Sequence, residues 1–207
     1  MAYSDFTLND IKRQFHCIID ETTDVFASVG EVEGSAWLQE TLRETLPLAL
    51  AVHTEKSRSE WLIAPILVEL RKLARHQVSL FSGSDFSVDP SQGLNGMCDF
   101  IVSQSLEQLF VSAPVLIIVE AKNENIKAGL PQCIAAMYAA KIYNEREHNE
   151  VDRILGIVTT GSNWKFLTLE DTHVLIDYDE YLIDQAGKIL AIILQALMPQ
   201  LQVARLP

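Results

Sequence analysis

Apolar side chains recur three to four residues apart at Phe6, Ile11, Phe15, Ile18 and Ile19, and again at Trp37, Leu38, Leu42, Leu46 and Leu48. That spacing predicts a helical layer over residues 1–53, with Gly30 and Gly34 punctuating its two halves. A further helix is expected over residues 55–75, with Leu62, Ile63, Ile66, Leu67, Leu70 and Leu73 on one face. Pro65 removes a backbone donor in its midst, so the helix should kink or restart there.

The period then falls to two. Residues 78–88 alternate small and apolar side chains, residues 89–96 are rich in turn formers, and residues 97–102 read as a second strand. The run Val115-Leu116-Ile117-Ile118-Val119 predicts a strand covered on both faces. Helical spacing returns over residues 126–143, with small side chains at Ala135, Ala136, Ala139 and Ala140. Strands over 154–160 and 164–169 flank Gly161-Ser162-Asn163, which is hairpin chemistry, and residues 173–176 suggest an additional edge strand. A closing amphipathic helix, residues 181–201, should turn Ile183, Ile189, Leu190, Ile193 and Leu197 toward the core or a partner subunit. The order of elements predicts an α/β protein with a mixed sheet flanked by helices. Within one domain it divides into the helical layer, an α/β core over 54–177 and the terminal helix in 178–207.

Composition narrows the class. With 48% hydrophobic and 21% charged residues, the chain is neither disordered nor a collagen or disulfide scaffold. Three scattered cysteines, Cys17, Cys98 and Cys133, form no Cys-x-x-Cys pair and suggest reduced thiols in a cytoplasmic setting. No export signal is expected at the start, and the longest apolar stretch, residues 189–198, is interrupted by Gln195. It falls short of the roughly 20 residues that a bilayer span needs, so no membrane partner is expected. The net charge of −12 argues against a general coat on polyanions. Relative to its length, the middle of the chain is the least acidic part, with twelve acidic and nine basic side chains in residues 51–150.

The candidate chemistry sits where strands end. Glu120-Ala121-Lys122 follows the apolar run, and residues two apart on an extended chain project to one face. Asp99 interrupts another apolar strand and can converge with Glu120 if the two strands are neighbours. Converging carboxylates repel and raise one another's pKa unless a cation lies between them. Oxygen ligands with room for waters suit Mg²⁺ or Mn²⁺, and the carbonyl of Ala121 is a further oxygen. Lys122 would add positive charge where a phosphoryl transition state gains negative charge.

In these residues the chain resembles the PD-(D/E)XK nuclease superfamily, the restriction-endonuclease-like fold. Asp99, Glu120 and Lys122 match its core motif, with Cys98 where the eponymous proline would stand, and Gln132 matches the glutamine of the following helix. Glu55-x-x-Arg58 leading into Leu62-Ile63-x-Pro65-x-Leu67 is similar to the amino-terminal nuclease domains of type I restriction subunits. The resemblance spans about residues 55–170. It implies a Mg²⁺- or Mn²⁺-dependent nuclease acting on nucleic acid, DNA in the first place, with a homodimer suited to cutting both strands. By the same resemblance Asp99, Glu120, Lys122 and Gln132 are catalytic, and Glu55, Asp99, Glu120 and Ala121 hold the metal.

On a helical wheel Glu55 shares the sector of Leu62, Ile66 and Leu73, whereas Glu60 and Glu69 lie at its edges. Glu55 is the choice for the helix acid; a solvated acid at a helix start explains it equally well, and a kink at Pro65 would favour Glu60. The five histidines show no ligand spacing with the cysteines, and the basic cluster Arg71, Lys72 and Arg75 fits an approach to phosphates or, equally well, the usual charge of a last helical turn. Trp164 fits core packing better than base stacking. The alternative to catalysis is a binding or assembly module on the same fold, motivated by the acidic composition and the apolar terminal helix.

Overall fold

Seven consecutive buried residues, Val115–Ala121, form the strand around which the other layers assemble. The computed structural model describes the backbone of residues 1–203 and the side chains of residues 1–197. The elements run α1 (Leu8–Phe15), β1 (Ile18–Asp20), α2 (Ala36–Val52), α3 (Glu55–Arg58), a π-helical turn (Ser59–Ile63) and α4 (Ala64–Leu73). Then come β2 (Ser79–Asp85), β3 (Met97–Ser103), β4 (Val115–Ala121), α5 (Ile126–Arg146), β5 (Ile154–Thr159) and β6 (Asn163–Glu170). The chain continues through β7 (His173–Ile176), β8 (Tyr181–Leu182) and α6 (Ala186–Val203). The eight strands make one mixed sheet in the order β1-β7-β6-β5-β4-β3-β2, with β8 also on β6. Among the described strands, only β1–β7 and β4–β5 are parallel.

Strand alternation divides the sheet into two apolar faces. On one, Ile101, Ile118, Val158 and Leu167 pack with α5, whose Cys133, Ile134 and Met137 are fully buried. On the other, Val102, Ile117, Val119, Ile157 and Phe166 meet α4 and α6. The parallel pair β4 and β5 is joined by α5, as a parallel connection requires a crossover. Gly156 lets α5 lie down on the sheet, because a Cβ there would stand 2.3 Å from the Met137 sulfur.

Several sequence expectations change. The first fifty residues are not purely helical: Ile18–Asp20 is a strand parallel to β7. Its partner lies about 150 residues away in sequence, which no local period reports. For the same reason β7 lies inside the sheet between β6 and β1 and is not an edge strand. On α2, Leu38 is buried, but Trp37 and Leu48 are exposed. The segment expected as one helix from residue 181 opens as β8 and a 3₁₀ turn (Ile183–Gln185), because Tyr181 pairs with Trp164. Ile183, Ile189, Leu190, Ile193 and Leu197 do face the core, against α4 and the sheet. Met198 and the side chains after it, to Leu201 of the expected helix, lie outside the described residues.

Pro65 acts as expected. It sits in the first turn of α4, where its missing N–H costs nothing, directly after the π turn. Glu69 is buried, and its carboxylate accepts hydrogen bonds from the Ser35 amide and hydroxyl at 2.8 Å each, fastening the start of α2 to α4. No helix among the described residues is long and apolar enough to cross a membrane.

Candidate active site

Sheet register brings the two strand carboxylates together. β3 and β4 are antiparallel with Phe100 opposite Val119, and one further step along each strand puts Asp99 opposite Glu120. Directly opposed side chains share a face with their Cβ atoms roughly 5 Å apart. This is the α5 face, which also carries Ile101 and Ile118. Ladder pairing is replaced here by a side chain: Asp99 Oδ2 accepts the Ala121 amide at 2.7 Å. The next amide, of Lys122, donates to the Thr159 carbonyl at 2.8 Å and holds the end of β4 against β5.

Glu120 is 3% exposed. Its Oε1 accepts from the Lys122 ammonium, which also reaches Gln132 Oε1 at 3.4 Å. The first turns of α5 come close enough for this because residue 129 is glycine. A Cβ there would stand 2.6 Å from Val158 Cγ1 and 3.1 Å from Lys122 Cγ. Asp99, Glu120, Lys122 and Gln132 are thus one group, drawn from two strands and a helix.

Burial pushes the Glu120 carboxyl up to about 8, Asp99 adds to the push, and Lys122 pulls the other way. Asp99 is also raised, by burial first, with its Ala121 hydrogen bond and Lys122 opposing. For Lys122, burial opposes the charge, but Glu120, with Glu55 and Asp99 adding to it, holds the ammonium above the usual lysine range. The direction of that shift favours the charged ammonium.

No protein-family model, curated protein or solved structure matches the chain. The functional reading rests on geometry and chemistry.

Glu55 is the exposed first residue of α3. It is near enough to raise Glu120 further, yet among the described residues no three His, Cys, Asp or Glu side chains gather as a metal-holding group. Glu60 is exposed and paired with Lys56 at 2.6 Å. The donor set still fits a hard cation. Asp99 spends Oδ2 on Ala121 and Glu120 spends Oε1 on Lys122, which leaves one oxygen on each carboxylate. Mg²⁺ is commonly held by one or two carboxylates with waters completing its shell.

The sequence reading missed the surroundings of Arg58. This arginine is 5% exposed, and its Nη1 donates to the Thr160 carbonyl at 3.0 Å, tying α3 to the end of β5. Its signal in the sequence was only its place three residues after Glu55. The three cysteines are buried free thiols. Trp164 is fully buried, and its indole N–H donates to the Gly161 carbonyl at 3.0 Å, a core role.

Proposed function

We propose that this chain is a Mg²⁺- or Mn²⁺-dependent nuclease of restriction-endonuclease-like type, acting on nucleic-acid phosphodiesters. The observation that carries the reading is the facing pair of half-buried Asp99 and buried Glu120, beside the charged Lys122 and within one hydrogen-bond step of Gln132. Two carboxylates with raised pKa beside a lysine are a costly arrangement for stability alone. Such strain concentrates at functional sites.

Asp99 and Glu120, with the Ala121 carbonyl, would hold the cation, and Glu55 stands as a more distant acid. When bound, such a cation polarises a phosphoryl oxygen and lowers the pKa of a bound water. The Ala121 amide fixes the Asp99 carboxylate, so its free oxygen keeps one direction. The Lys122 ammonium places a full positive charge beside the phosphorus as negative charge develops there. Gln132 steadies that ammonium through its Oε1. On the same face of the sheet, Ile101, Ile118 and Val158 are buried.

The test is cleavage of DNA and of RNA by the full chain with Mg²⁺ or Mn²⁺. Asp99→Ala and Lys122→Ala should each lower the rate about a hundredfold or more while circular dichroism stays native. Cleavage unchanged in both variants overturns the reading. A catalytically silent binding module is favoured by one observation, the lack of a third carboxylate in the group among the described residues. It predicts no cleavage and no rise in melting temperature with either cation.

A further inference from the structure

Arg58 is a buried cation without a carboxylate in contact among the described residues. Its Nη1 donates to the Thr160 carbonyl and to the Ser162 hydroxyl at 3.1 Å, its Nη2 to His53 Nδ1 at 3.2 Å, and its Nε has no partner among the described residues. Donation into Nδ1 places the ring proton of His53 on Nε2, which faces Glu124 at 2.6 Å. A carboxylate is thus reached only through the imidazole. An arginine so placed is expensive unless a negative group completes it.

Arg58 lines a cavity of about 460 Å³ beside the ends of β4 and β5 and the first turn of α5. Lys127 lies on its wall in that first turn. Asn123 lies there too, with a buried Oδ1 that has no hydrogen-bond partner among the described residues. Turned over, its amide offers N–H donors instead. The amino-terminal end of a helix of 21 residues adds positive potential. The opposing charges are Glu124, tied to His53, and Glu180; both are exposed. Exposed charges are screened by solvent, whereas a buried cation acts through a low dielectric.

We infer that this cavity binds a phosphate group, with Arg58 supplying the charge at its floor and Lys127, Asn123 and the start of α5 supplying further donors. Guanidinium and amide N–H groups around one pocket suit a tetrahedral oxyanion. Asn123 follows Lys122 directly, so under the nuclease reading the group is a backbone phosphate beside the scissile one. Binding itself stands apart from that reading.

The experiment follows backbone amide NMR shifts of the full chain in EDTA at constant ionic strength. Inorganic phosphate is titrated first, and a short oligodeoxynucleotide is then added as competitor. Saturable shifts are expected at residues 123–127 and 160–163. Lys127→Ala, an exposed change that leaves the fold intact, should weaken binding about fivefold, and Glu180→Gln should tighten it about twofold. Competition by the oligonucleotide identifies a nucleic-acid phosphate as the source; saturation without competition identifies a free phosphate. Absence of saturable shifts, or equal affinity in wild type and both variants, overturns the site. With no metal present and no cleavage measured, failure of the nuclease reading leaves this result untouched.

Discussion

At the scale of residues, the informative group is Glu120. Its folded-state pKa of about 8 lies above its ordinary value of 4.5, so the folded protein holds a proton that the unfolded chain releases between those values. The corresponding stability is complete below pH 4.5 and is lost as pH rises through 8. Asp99, also raised, works in the same direction. Glu120→Gln should therefore flatten the fall in urea-unfolding free energy between pH 5 and 8, by on the order of a few kcal/mol. An unchanged slope would show that Glu120 is not the group that titrates. Asp99, Glu120 and Lys122 were legible in the sequence because charged residues are out of place in buried strands. Arg58 was not legible, because its burial depends on a hydrogen bond to Thr160, more than a hundred residues away.

At the scale of elements, the site depends on how closely α5 lies on β4 and β5. Gly129→Ala would force a methyl within 2.6 Å of Val158, and the helix must lift to admit it. We expect a loss of about 1–3 kcal/mol in unfolding free energy. The Lys122 to Gln132 contact, already 3.4 Å, should open as well, seen as increased hydrogen exchange in the first turns of α5. Strongly periodic elements such as α4, β4 and α5 were legible from local pattern. Short ones, β1 and β8, were not, since three or two residues carry too little period to read. Their strand character comes from partners, His173–Leu175 for β1 and Asn163–Trp164 for β8.

At the scale of the whole molecule, both ends of the chain close over one sheet. The amino-terminal segment supplies β1 to one edge, and α6 covers the face opposite α5. Ile193 is fully buried in that second layer, so Ile193→Ala should cost about 2–5 kcal/mol, measured by urea unfolding. A cost near zero would mean that α6 is a detachable appendage. The sequence by itself determined the α/β class, the buried central strand, the hairpin at Gly161 and the residue types of the candidate site, because these follow from short-range periodicity and from charge set among apolar neighbours. Tertiary structure alone decided that Asp99 faces Glu120, that Gln132 meets Lys122, and that a buried arginine lines a cavity nearby. Those are facts of register, helix approach and burial, and each depends on pairings between distant segments that only the folded chain brings within reach.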